Sequence, residues 1–166
     1  MTTSNADLRV RRATKENVGT LLQWFELPHA SPFLRKPSHT QITAALEHPN
    51  KALFIVEDDG KPVAHFALLD LDNSRIVNLG IVLAAQQRRG YGKFAVQCAQ
   101  RFAFIENQAR RLWLEVTTDN VAARMLYEAC GFVREGIWRD GFPADDGTFK
   151  DLAAYGMLAR EYKETP

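Results

Sequence analysis

Apolar residues along this chain switch between two periods, and the switches mark out its elements. Leu8 to Arg12 reads as a short first strand. Val18, Leu21, Leu22 and Phe25 then fall at i, i+3, i+4 and i+7, one face of a helix. Thr14 can cap that helix and Pro28 ends it, so the spacing predicts a helix from Lys15 to about Leu27. His29 to Pro37 is a loop carrying Phe33 and Arg35. Ser38 and Gln41 form a capping box for a second helix reaching about Glu47. Ala52 to Glu57 and Val63 to Leu71 are strands joined through Asp59-Gly60, a hairpin turn. A further strand is predicted over Arg75 to Val82.

From there the order becomes strand, helix, strand. Phe94, Ala95, Cys98, Phe102 and Ile105 recur at helical spacing and predict a helix from Tyr91 to about Asn107. It links Ile76–Val82 to Leu112–Thr117, and a crossover of this kind joins parallel strands. Asn120 caps a helix running through Ala129, with Gly131 at its stop. Phe132 to Arg139 and Lys150 to Leu158 are expected to pair antiparallel around Gly141–Gly147. The fold class expected is α/β in the wider sense of α+β: a mixed sheet, antiparallel at its ends and parallel in the middle, flanked by helices.

Gln87 to Lys93 reads Gln-Arg-Arg-Gly-Tyr-Gly-Lys between a strand and a helix. The first turn of a helix has N–H groups without intrahelical partners, at the positive end of the dipole, and a phosphate suits that place. Gly90 and Gly92 clear side chains from the backbone, and Arg88, Arg89 and Lys93 add positive charge. Asn120 to Phe132 adds Asn-Val-Ala-Ala-Arg-Met-Leu-Tyr-Glu-Ala-Cys-Gly-Phe directly after a strand. Together the two stretches resemble the GNAT N-acetyltransferase superfamily. The first signature is met by Gln87, Gly90 and Gly92, the second by Asn120, Ala123, Leu126, Tyr127, Gly131 and Phe132. The run from Gly131 to Gly136, with Arg139, Gly147, Asp151, Tyr155 and Met157, is similar to the branch that includes ribosomal-protein N-terminal acetyltransferases.

The resemblance implies a GNAT-like sheet with two splayed parallel strands and acetyl-CoA lying between them. It assigns backbone pairing with the cosubstrate to Ile81, Val82 and Leu83. It gives the phosphate cradle to Gln87, Arg88, Arg89, Gly90, Tyr91, Gly92 and Lys93, and further contacts to Asn120 and Ala123. Tyr127 is the implied acid beside the departing sulfur; a phenol at pKa ~10 against a thiol at ~8.5 makes proton transfer only mildly uphill. Many relatives carry a glutamate where this chain has Asn78, and an amide can orient a water but cannot take a proton. Glu115 can reach the cleft through water as a base, or face outward as an ordinary strand residue. A base matters less for an α-amine of pKa ~8 than for a lysine at ~10.4.

Composition bounds the rest. The 166 residues suit one domain, 1–166, and 21 basic against 20 acidic residues suggest neither a nucleic-acid nor a membrane-surface partner. No apolar run approaches a membrane span, and Met1 to Arg12 has no secretory h-region. Cys98 and Cys130 are far apart in sequence and read as reduced thiols, so a cytoplasmic protein is expected. His29, His39, His48 and His65 lack paired metal spacing, and no metal is assigned. The expected partner is an amine-bearing small molecule or a protein N-terminus, with a homodimer also a candidate.

Two other readings stay open. Gly90 to Ala95 satisfies the G-x-G-x-x-G/A pattern of a Rossmann dinucleotide site, with Glu115 at about the distance of a ribose ligand. That pattern, however, follows some 75 residues of other structure and leaves Asn120 to Phe132 unexplained. A phosphate loop of the kinase type fails because Gly92-Lys93 is not followed by Ser or Thr. A non-catalytic acyl-CoA-binding module is the third reading; Tyr127 argues against it and Asn78 for it.

Overall fold

The structure, a computed structural model, describes residues 7–164. Seven strands form one mixed sheet: β1 (Leu8–Arg12), β2 (Ala52–Asp58), β3 (Lys61–Leu69), β4 (Ile76–Ala84), β5 (Arg111–Thr117), β6 (Val133–Pro143) and β7 (Phe149–Leu158), in the order β1-β2-β3-β4-β5-β7-β6. Only β4 and β5 run parallel; the other neighbours are antiparallel. Four helices flank the sheet: α1 (Val18–Trp24), α2 (His39–Glu47), α3 (Tyr91–Arg101) and α4 (Val121–Ala129).

The sheet separates two apolar layers. β2 shows why its residues are buried on both faces: Ala52, Phe54 and Val56 point to the layer under α3 and α4, while Leu53 and Ile55 point to the layer under α1 and α2. Side chains alternate faces along a strand, so a strand covered on both sides is apolar throughout. No helix among the described residues is long and apolar enough to cross a membrane.

Most element boundaries fall within a few residues of the spacing. The first helix is shorter than expected: Lys15–Asn17 forms a 3₁₀ turn, and α1 ends at Trp24. Asn17 Oδ1 accepts the backbone N–H of Thr14 at 2.9 Å, which fixes the entry. Ser38 and Gln41 make the expected reciprocal caps, at 3.1 and 2.8 Å. The third helix is not α throughout. Phe102–Glu106 is a π turn, with Asn107 N–H donating five residues back to Phe102. β6 runs on to Pro143, kinked by a register shift between Trp138 and Phe142.

Candidate active site

β4 and β5 are paired only from Ile76–Arg111 to Asn78–Trp113. Beyond that rung the two parallel strands separate, while β4 stays paired with β3 as far as Ala84. The β5-facing backbone of Leu79 to Ala84 therefore has no strand partner. On the β3 side, Ala67 faces Ile81 and Leu68 faces Leu79, so Gly80 is an extra, bulged residue. A cleft of about 720 Å³ opens where the strands part, and Ile81, Val82 and Leu83 form one wall. Asn78 stands at the point of divergence. It is buried, its Nδ2 donates to the Trp113 carbonyl at 3.3 Å, and it lies outside the cleft lining.

The loop from Gln87 to Lys93 closes one end of the cleft. Gly90 sits at φ +81°, a left-handed conformation that suits glycine, and starts α3. A Cβ on Gly92 would lie 3.3 Å from Leu126, so α3 approaches α4 closely at this end. Arg88, Arg89 and Lys93 are exposed around the first turn. Tyr91 contributes only backbone here, because its buried side chain turns away and donates to Asp58 Oδ2 at 2.8 Å.

β5 and α4 build the opposite wall. Asn120 Oδ1 accepts the Ala123 N–H at 3.2 Å and starts α4. Tyr127, on the inner face of α4, is 7% exposed and lines the cleft. Burial, helped by the Cys130 sulfur, pushes its phenol well above the ordinary range, so the hydroxyl stays protonated. Thr117, at the end of β5, also lines the cleft. Its buried hydroxyl comes near Asp119 without reaching hydrogen-bond geometry and has no partner among the described residues. Glu115 precedes Thr117 on the same strand face and opens into the cleft, with its carboxyl raised by partial burial.

Two loops bridge the far end. Phe33 and Arg35 from the α1–α2 loop and Phe142 from β6 line it. Arg35 Nη2 donates to the Pro143 carbonyl at 3.3 Å, and Lys150 Nζ donates to the Pro32 carbonyl at 3.0 Å. Lys150 also pairs with Asp119 at 2.8 Å and sits 5.3 Å over the Phe33 ring. His29 Nε2 meets the Ala84 carbonyl at 2.8 Å, tying the same loop to the end of β4.

A phosphate cradle, a strand with free backbone and a protonated tyrosine thus face one cleft. Residues 18–132 match the model of the Acetyltransferase (GNAT) family. The chain belongs to the GNAT acetyltransferase family. It is an N-acetyltransferase whose cosubstrate is acetyl-CoA. It is 27% identical over 161 residues to spermidine N(1)-acetyltransferase of Vibrio cholerae, covering 94% of this chain and 90% of that one. It is 33% identical over 100 residues to the [ribosomal protein bS18]-alanine N-acetyltransferase of Escherichia coli, covering 57% and 63%. The crystal structure of the Vibrio cholerae spermidine N-acetyltransferase in complex with CoA and spermine has the same fold, with a TM-score of 0.84 at 20% identity over 95% of this chain and 99% of that one.

The residues present suit the GNAT cosubstrate. An extended pantetheine arm can use the free backbone edge of β4, and its diphosphate suits the open N–H groups of α3 with three cations beside them. The orphaned Thr117 hydroxyl is a polar group in want of a ligand. Every residue expected to bind acetyl-CoA lines this GNAT cleft, as do Tyr127 and Glu115, whereas Asn78 does not. Two residues had not been singled out. Thr117 shares a strand face with Glu115, a period-2 relation that its number alone signals. Gly80 interrupts an apolar strand, the usual mark of a bulge.

Proposed function

We propose that this GNAT enzyme acetylates a small primary amine by direct attack of the neutral amine on the thioester. The observation that carries the reading is the parting of β4 and β5 after Asn78 and Trp113, which leaves Tyr127, Glu115 and the free β4 backbone facing one space. Bound acetyl-CoA supplies an acetyl group activated as a thioester.

In this reading the chain's own residues divide the work. Ile81, Val82 and Leu83 hold the pantetheine arm through backbone N–H and C=O groups. The Tyr91, Gly92 and Lys93 N–H groups hold the diphosphate, with Arg88 and Arg89 adding charge-assisted contacts. Gln87, Asn120 and Ala123 shape the two helix starts beside it. Tyr127 keeps its proton, because its raised phenol is a far weaker acid than a thiol at ~8.5. It therefore acts as a hydrogen-bond donor to the sulfur as negative charge develops there. Glu115, with its carboxyl raised by burial, accepts the proton that the amine nitrogen loses, through a water. Asn78 acts one step back, holding the rung from which the strands diverge.

A small amine as acceptor is supported by the relative named for spermidine, which matches along nearly the whole chain. A protein N-terminus is the second reading, supported by the shorter match to the alanine N-acetyltransferase. Nearly balanced charge supports an enzyme without nucleic-acid or membrane-surface partners. The test is release of free CoA thiol from acetyl-CoA over a panel of small amines and N-terminal peptides. Amine-dependent release is expected. Tight acetyl-CoA binding without release for any amine or peptide would instead make the chain a binding module.

A further inference from the structure

A second cavity, of about 160 Å³, lies between α1, α2 and the sheet. It adjoins the cleft: Phe25, Pro37, Gly80 and Ile81 line both. Two of these are the bulged glycine and Ile81, where the strand edge proposed for the pantetheine arm begins. Leu21, Ile42, Ala45, Leu53, Ala67 and Leu69 give it a mostly apolar wall, with Gln41, Lys51 and His65 as its polar members. Its volume suits a single benzene-sized ring.

The charges around the two spaces point the same way. Arg88, Arg89 and Lys93 sit at the phosphate end of the cleft, which leaves Arg35 and Glu115 near the acceptor. The side chamber adds Lys51, and its His65 donates Nδ1–H to the Phe54 carbonyl at 2.8 Å and is neutral. An extended polyamine keeps two or more ammonium groups after one amine is deprotonated. A single carboxylate, with Arg35 and Lys51 nearby, gives those groups one partner and two repulsive neighbours.

Resting on the acetyl-transfer reading above, we propose that the acceptor is a primary monoamine whose apolar arm, a branched alkyl chain or one aromatic ring, fills this side chamber. The amine then lies at the mouth, by Gly80 and Ile81, and the arm lies under α2. Burying an apolar arm against these apolar walls favours binding, and a monoamine brings no second ammonium group into the site.

Phenethylamine, ethylamine and spermidine are the probes. In steady-state assays phenethylamine should show kcat/KM at least tenfold above either of the others. Ala45→Leu fills the chamber from α2 and should lower kcat/KM for phenethylamine at least tenfold, mainly through KM, with acetyl-CoA affinity unchanged. Ala45→Val, with less added bulk, should give a smaller loss and serves if the leucine variant melts early. Calorimetric titration of phenethylamine into the CoA-loaded protein reads the chamber without turnover; binding that Ala45→Leu weakens tenfold supports the proposal even if no amine is acetylated, an outcome that sinks only the transferase reading. Preference for spermidine, or phenethylamine binding indifferent to both Ala45 variants, overturns it.

Discussion

Phe132 donates its backbone N–H to the carbonyl of Tyr127 at 3.0 Å, and the two rings meet edge to face at 6.0 Å. With Gly131 N–H donating to Glu128 at 3.0 Å, this is a Schellman stop for α4. The helix end and the proposed thiolate partner are therefore one structural unit. Tyr127 is held by its own helix terminus rather than by a hydrogen bond from its hydroxyl.

That unit depends on Gly131, at φ +89°. An L side chain there is strained by roughly 1–2 kcal/mol. Its Cβ would also lie 3.1 Å from Met157 Cε, a flexible end that can give way. Gly131→Ala should lower stability by about that amount in denaturant titration. It should also reduce kcat more than it weakens acetyl-CoA binding, because Tyr127 shifts.

Thr117→Val tests the orphaned hydroxyl. A buried unsatisfied polar group costs about 1–3 kcal/mol, so the valine enzyme without ligand should be more stable than wild type, by ~2–4 °C in Tm per kcal/mol gained. If the cosubstrate supplies the missing partner, the same variant should bind acetyl-CoA several-fold more weakly by titration calorimetry. Lower stability with unchanged affinity would make the hydroxyl purely structural.

The cradle predicts a charge effect on affinity. Replacing Arg88 and Arg89 with Ala should weaken acetyl-CoA binding, each well-formed charge-assisted contact contributing ~1.5–3 kcal/mol and less where solvent screens it. Calorimetry with CoA and dephospho-CoA separates contacts to the diphosphate from those to the 3′-phosphate. Unchanged affinity in the double variant would remove both side chains from the site.

The parts legible from sequence are those governed by local backbone chemistry. Asn120 as a cap, Gly131 as a stop and the Ser38–Gln41 capping box each satisfy a rule that operates within one turn. The parts that were not legible depend on register between strands. The Gly80 bulge requires knowing that Ala67 faces Ile81 and Leu68 faces Leu79. Whether Glu115 faces outward or into a cleft depends on where β4 leaves β5, which its own strand does not encode. The family resemblance gives Asn78 a catalytic position, but its amide is bonded to Trp113 at the last shared rung. The π turn at Phe102–Glu106 carries the same apolar spacing as the helix before it and leaves no separate mark.

His65 gives the fold a defined acid limit. Burial lowers its pKa from 6.5 to about 4, outweighing the hydrogen bond to the Phe54 carbonyl. The folded state thus prefers the neutral ring, and protonation favours the unfolded chain. This contribution is full above about pH 6.5 and is lost as pH falls toward about 4, up to ~3 kcal/mol in all. Stability curves of wild type and His65→Gln over that window should diverge, the glutamine variant having the shallower slope. Parallel curves would assign the acid sensitivity to the carboxylates.

The most direct measurement is single-turnover acetyl transfer by wild type and Tyr127→Phe, with an amine the wild type uses. Phenylalanine keeps the packing against Phe132 and removes only the donor. The hydrogen bond strengthens as charge develops on sulfur, so kcat and kcat/KM should fall together by ~10²–10³, with acetyl-CoA affinity nearly intact. A variant that melts like wild type and transfers acetyl at the wild-type rate would contradict the account and leave Tyr127 a packing residue.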